Sequence, residues 1–72
     1  MSENSGFIAI AKKYRLNPVL LREIVLFRAK GYDNLSISAV TGINKNTVNK
    51  YVHVLRSFSE ADLVFCMRSI FS

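Results

Sequence analysis

The stretch Ile37-Ser38-Ala39-Val40-Thr41-Gly42-Ile43-Asn44-Lys45-Asn46-Thr47-Val48-Asn49-Lys50-Tyr51-Val52 decides how this chain folds. Apolar residues recur in it at helical spacing on both sides of a single glycine. Val48, Tyr51, Val52 and Leu55 stand at i, i+3, i+4 and i+7, which is the buried stripe of a helix from about Lys45 to Arg56. Asn44 precedes that run as an N-cap, because its side-chain oxygen can accept from the first unpaired backbone N–H groups. Before the glycine, Asp33 is placed to cap a shorter helix from Asn34 to Thr41, with Ser36 three residues on and Leu35, Ile37 and Val40 as apolar contacts. Helices this close in sequence require a sharp turn. The turn needs a residue of positive φ, which Gly42 supplies without steric cost. A close helix crossing also needs a small residue, and Ser38 stands four before the glycine. Its hydroxyl needs a partner, expected to be a carbonyl one turn back. Ile37, Val40, Ile43, Val48 and Val52 are expected to fill the angle between the two helices.

Outward from this corner the pattern stays helical. Asn17-Pro18 is a helix start: asparagine caps well, and proline at the first position gives up an N–H that has no intrahelical partner. The helix runs from Pro18 to Lys30 and stops at Gly31, a left-handed terminator. Its apolar residues Val19, Leu20, Leu21, Ile24, Val25, Leu26 and Phe27 cover most of its circumference, which predicts a central helix or one shared with a second subunit. Phe7, Ile10, Ala11 and Tyr14 mark a first helix, Phe7 to Arg15, with Ser5 as its cap and Lys12, Lys13 and Arg15 in its last turn. Ser59 starts a last helix reaching Phe71; with Asp62 it has the spacing of a capping box. Leu63, Val64, Cys66, Met67, Ile70 and Phe71 form that helix's apolar side. No segment alternates as a strand does. The expected fold class is all-α, a single small multi-helix domain over residues 1–72 with its core corner at residues 33–56.

Seventy-two residues form one domain at most, and such a chain buries only ~60% of its unfolded surface. Half of its residues are nonetheless hydrophobic and the mean hydropathy is +0.20. Surplus apolar surface on so small a domain predicts a homodimer, with the last helix as much of the interface. Phe58, Phe65 and Phe71 are expected in the core or that interface. Ten basic against five acidic residues give a net charge of +5, and the pI is near 9.8, a balance that favours a polyanionic partner. Cys66 stands alone in an apolar run and reads as a small core hydrophobe. No secretory signal pattern or spanning-length apolar run is visible, so a soluble cytoplasmic protein is expected. There is no nucleophile with a base partner, no phosphate-cradling glycine loop and no metal-ligand spacing. No enzyme, cofactor, metal or small-molecule ligand is implied.

Charge placement singles out one face. From Asn34 to Ser59 there is no acidic residue, while Lys45, Lys50 and Arg56 are present. Lys45 opens a helix, where the dipole disfavours a cation by a few tenths of a kcal/mol, and a bound phosphate would reverse that penalty. The outer face of the helix carries Lys45, Asn46, Asn49, Lys50 and His53. Asparagine can pair with adenine N6 and N7, and lysine can reach guanine O6 and N7. His53 is the weakest member, since it reads equally as a solvated histidine, and one histidine with one distant cysteine makes no zinc site.

The small residue, glycine and apolar spacing from about Asp33 to Leu55, with Pro18 to Lys30 before it, resembles the prokaryotic helix-turn-helix domain of repressors and resolvase-type recombinases. Ser38 departs from the alanine most often found at its place. The resemblance implies a sequence-specific double-stranded DNA-binding protein, a nucleoid-associated transcriptional regulator whose helix 45–56 lies in the major groove. The DNA-binding residues it implies are Lys45, Asn46, Thr47, Asn49, Lys50, His53 and Arg56. Other readings remain: an accessory factor of a recombinase or partition system, or a protein-interaction module such as a small RNA polymerase inhibitor. A membrane-surface peptide ranks last, because the last helix has only Arg68 as a base.

Overall fold

Each capped helix begins where a polar side chain can hold its first turn. The computed structural model describes residues 5–71, and side chains over residues 7–70. Its order is α1 (Ser5–Tyr14), α2 (Pro18–Ala29), α3 (Asn34–Thr41), α4 (Lys45–Leu55) and α5 (Glu60–Phe71), with no strand among the described residues. The Asn17 side chain accepts from the Val19 and Leu20 N–H groups at 2.9 and 3.2 Å. Asp33 accepts from Ser36 N–H at 2.7 Å, and Asn44 from Asn46 N–H at 2.8 Å. Ser59 Oγ accepts from Asp62 N–H at 3.2 Å. A cap of this kind contributes about 1 kcal/mol relative to alanine. Ser5 lies inside α1 rather than before it, and its side chain lies outside the described residues, as does that of Phe71.

The helix ends explain the tight connections. After α2, Gly31 takes φ +92°, Tyr32 N–H reaches back to the Phe27 carbonyl at 3.0 Å, and the two rings meet 5.1 Å apart. After α3, Gly42 takes φ +75° and its N–H donates to the Ser38 carbonyl at 3.0 Å. The first helix ends the same way without a glycine. Arg15 takes φ +59° and Leu16 N–H donates to the Ala11 carbonyl at 2.8 Å. α1 therefore stops at Tyr14, one residue before its expected end, and a side-chain-bearing residue occupies the left-handed position.

The core is drawn from every helix: Phe7, Leu21, Ile24, Ile37, Val48 and Cys66 are fully buried. α2 is central, packing against α1, α3, α4 and α5. Burial pushes the Cys66 thiol up, and the Asp62 charge adds to the shift, so it stays a protonated core side chain. Three expectations need correction. Val40 and Leu35 are exposed, so Ile37 alone of α3's apolar residues is buried, with Val48 and Val52 buried opposite and Ile43 half-buried. Val19 is exposed too, so α2 is central without being covered all round. Ser38 does not bond one turn back: its hydroxyl donates to the Ile43 carbonyl at 2.7 Å, across the turn. Thr41 Oγ1 donates to the Ile37 carbonyl at 2.6 Å and accepts from Ile43 N–H at 3.2 Å. The corner is thus tied from both of its polar side chains.

Two long-range polar links fasten the rest. Asp62, expected only as part of a cap, accepts from the Tyr14 hydroxyl at 2.6 Å and the Lys13 ammonium at 2.9 Å, joining α5 to α1. Tyr14 also stacks on buried Phe58, centroids 4.0 Å apart. The Tyr14 hydrogen bond, then Lys13, hold the Asp62 carboxyl below its ordinary range, and Asp62 raises both partners. In the second link, Tyr51 Oη accepts from Asn17 N–H at 2.9 Å, pinning α4 to the start of α2.

Candidate nucleic-acid interface

α4 has two unlike faces. Val48, Tyr51 and Val52 are buried against the rest of the domain. Lys45, Asn46, Asn49, Lys50 and His53 are all exposed. Asn46 and Lys50 are four apart, as are Asn49 and His53, while Asn46 and Asn49 are three apart. Such residues are neighbours on a helix surface, so the five form one continuous strip of hydrogen-bonding groups. The two ammonium groups lie at the first turn and one turn beyond it. The first turn of α4 carries the positive end of the helix dipole, and Asn44 caps one of its N–H groups, that of Asn46.

Of the two other residues expected in the set, one lies off the strip and one at its far end. Thr47 is half-buried, on the flank of the helix rather than in the strip. Arg56 is the C-cap of α4, exposed, and roughly 16 Å along the axis from Lys45 at 1.5 Å per residue. Three residues after His53, it continues the strip toward the C-terminal end of the helix.

One member of the site was not legible from the sequence. Asn34, half-buried at the start of α3, donates through Nδ2 to Asn49 Oδ1 at 3.0 Å. The two are fifteen residues apart on different helices, and no periodicity relates them. The bond orients the Asn49 amide, leaving its NH₂ group and a second lone pair of its oxygen available. Asn49 is thus both exposed and held. Asp33, the acid beside Asn34 in sequence, is occupied as the cap of α3, and hydrogen bonds from Ser36 hold its carboxyl below the ordinary value.

Among the described residues, no three His, Cys, Asp or Glu side chains gather where a metal could sit, and no helix is long and apolar enough to cross a membrane. Compared with protein families, curated proteins and solved structures, the chain gives no match.

Proposed function

We propose that this chain binds double-stranded DNA through a helix-turn-helix formed by α3, the Gly42 turn and α4, and that it regulates transcription at the nucleoid. The observation that carries the reading is the strip Lys45, Asn46, Asn49, Lys50 and His53 on the exposed face of a helix whose other face is buried. The corner at its start is tied by Ser38 and Thr41, so the strip is presented by a rigid element. In the major groove, the lysines would meet phosphates or guanine edges and the asparagines would meet adenine. Asn49, its amide oriented by Asn34, is the best placed to read a base, because less rotamer freedom remains to be lost. The reading assigns no catalysis and no cofactor. One helix reads only a few base pairs, so a homodimer on an inverted repeat completes it, with the two α4 helices ~34–36 Å apart.

A second reading has one observation in its favour. Leu35 and Val40 on α3 are more than half exposed, as is Val19 on α2, which offers apolar surface to a protein partner. A protein-interaction module would use that surface and tolerate loss of Lys45 and Asn49, whereas an accessory factor of a recombinase or partition system would share the DNA binding and need a second protein.

Fluorescence anisotropy with a labelled duplex separates the two. For the DNA reading, Lys45→Ala and Lys50→Ala each weaken binding across sequences and lower the salt slope by about 1. A protein that binds duplex no better than a neutral control, or whose affinity ignores both lysines, belongs to the second reading.

A further inference from the structure

The exposed apolar surface outside the α3 corner is concentrated on α5. Leu63, Val64, Phe65 and Met67 are 39–47% exposed, whereas Cys66 is buried and Asp62 and Ile70 are half-buried. The helix is therefore attached by its Asp62-Cys66-Ile70 edge and presents the remainder outward. α5 packs mainly against α1 and α2, and α4 mainly against α3 and α2.

We infer that this face binds a second copy of the chain, the two α5 helices running antiparallel about a twofold axis through Val64. Val64 lies at the middle of the exposed arc. Glu60 stands four residues before it and Arg68 four residues after it, on one surface row, and both are exposed. With Ala61 and Phe65 they border one shallow open groove. A row spaced by four is the row used in the commonest helix crossing, and Ala61 lets the backbones approach closely. Reversing the partner helix about Val64 brings each Glu60 to the other copy's Arg68, twice over. A parallel pairing would set glutamate beside glutamate and arginine beside arginine. The same axis brings the two Phe65 rings together on one side and Leu63 and Met67 against their counterparts on the other. The row is self-complementary in charge only in the antiparallel sense, which is what an isologous interface requires.

Pairing of one helix per copy buries less than the roughly 1,200–2,000 Å² of a standard interface, so association is expected at tens of micromolar rather than nanomolar. The test is sedimentation equilibrium of the whole chain from low micromolar concentration to about a hundredfold above it. The wild type is expected to pass reversibly from 8.2 kDa to twice that mass. Val64→Asp is expected to stay monomeric with unchanged helix content and melting, because Val64 makes no part of the buried core. Glu60→Arg and Arg68→Glu each replace two attractive pairs by two repulsive ones and should weaken association about fivefold or more. The double variant Glu60→Arg/Arg68→Glu restores opposite charges and should return to within about twofold of the wild type. Monomer at every concentration overturns the proposal, as does a dimer that survives Val64→Asp or a double variant no tighter than the single ones. The interface deepens the homodimer of the DNA reading and rests on it only there; since none of these readouts involves DNA, its failure is distinguishable from a failure of α4 to bind duplex.

Discussion

Replacing Gly42 by alanine, asparagine and valine isolates what the left-handed corner between α3 and α4 contributes. The glycine has φ +75°, and a Cβ built on it meets no atom within 4 Å beyond its own residue and its two chain neighbours. Clash with other parts of the fold is therefore absent, and the effect is the local backbone strain of the left-handed conformation. Holding an L-residue in this region costs roughly 1–2 kcal/mol. Removing a glycine also makes the unfolded chain stiffer, which offsets about 0.4–1 kcal/mol of that. Alanine is then expected to cost about 0.5–1 kcal/mol, asparagine less, and β-branched valine more than about 1 kcal/mol. For a domain of this size, about 1 kcal/mol lowers Tm by roughly 4–8 °C. Thermal unfolding followed by circular dichroism gives the ranking glycine, asparagine, alanine, valine in falling Tm. Duplex binding measured on the same samples should weaken in the same order, since the strip on α4 is aimed by this turn. A valine variant with unchanged Tm would show that Gly42 contributes nothing to the corner through its left-handed backbone.

The converse holds at Arg15, where the left-handed residue carries a side chain: Arg15→Gly should stabilise by about 0.5–1 kcal/mol, read as a rise in Tm, and a fall would show that the arginine makes an interaction worth more than its strain. Tyr51→Phe leaves the Asn17 N–H without its partner and should cost about 1–2 kcal/mol in urea unfolding, with no change in the m-value. The Asp62 cluster sets a pH dependence whose sign is fixed. The folded-state pKa of Asp62 is depressed, so its contribution is complete above the ordinary carboxylate range and is lost as pH falls through the depressed value. Asp62→Asn should therefore be less stable than the wild type near neutrality, the gap closing in acid below about pH 4. Lys13 and Tyr14 are raised, so their contributions are lost as pH climbs above about 10. A gap that stays constant from pH 7 to pH 2 would contradict the assignment.

How much was legible in the sequence follows the range of each interaction. Caps and terminators act within a few residues, so Asn17, Asp33, Asn44, Ser59, Gly31 and Gly42 could be placed by reading along the chain, and the helices lie within two residues of their expected bounds. The left-handed Arg15 was hidden, because no residue type there announces it. Burial was legible where helical periodicity decided it, as at Val48 and Val52, and misleading where a short helix has more apolar residues than one face can cover, as at Leu35 and Val40. Polar partners across the fold were not legible at all. Asp62 had the spacing of a capping box, yet its carboxylate is engaged by Tyr14 and Lys13, 48 and 49 residues away. Ser38 bonds across the turn because the turn brings the Ile43 carbonyl to it, a proximity that exists only after folding. The exposed strip on α4 was readable as the complement of a buried stripe. The Asn34–Asn49 bond that orients its middle was not.

The exposed face of α4 is proposed to read duplex DNA. The most direct test is selection of bound duplexes from a random pool, followed by affinity of the winning sequence at two salt concentrations. An enriched inverted repeat with half-sites about one helical turn apart is expected, with binding that weakens steeply with salt. On that sequence Asn49→Ala should cost ~1–3 kcal/mol and relax preference at one base position in each half-site. A pool that shows no enrichment after repeated rounds, or a consensus bound equally well by Asn49→Ala and Lys50→Ala, would contradict this reading.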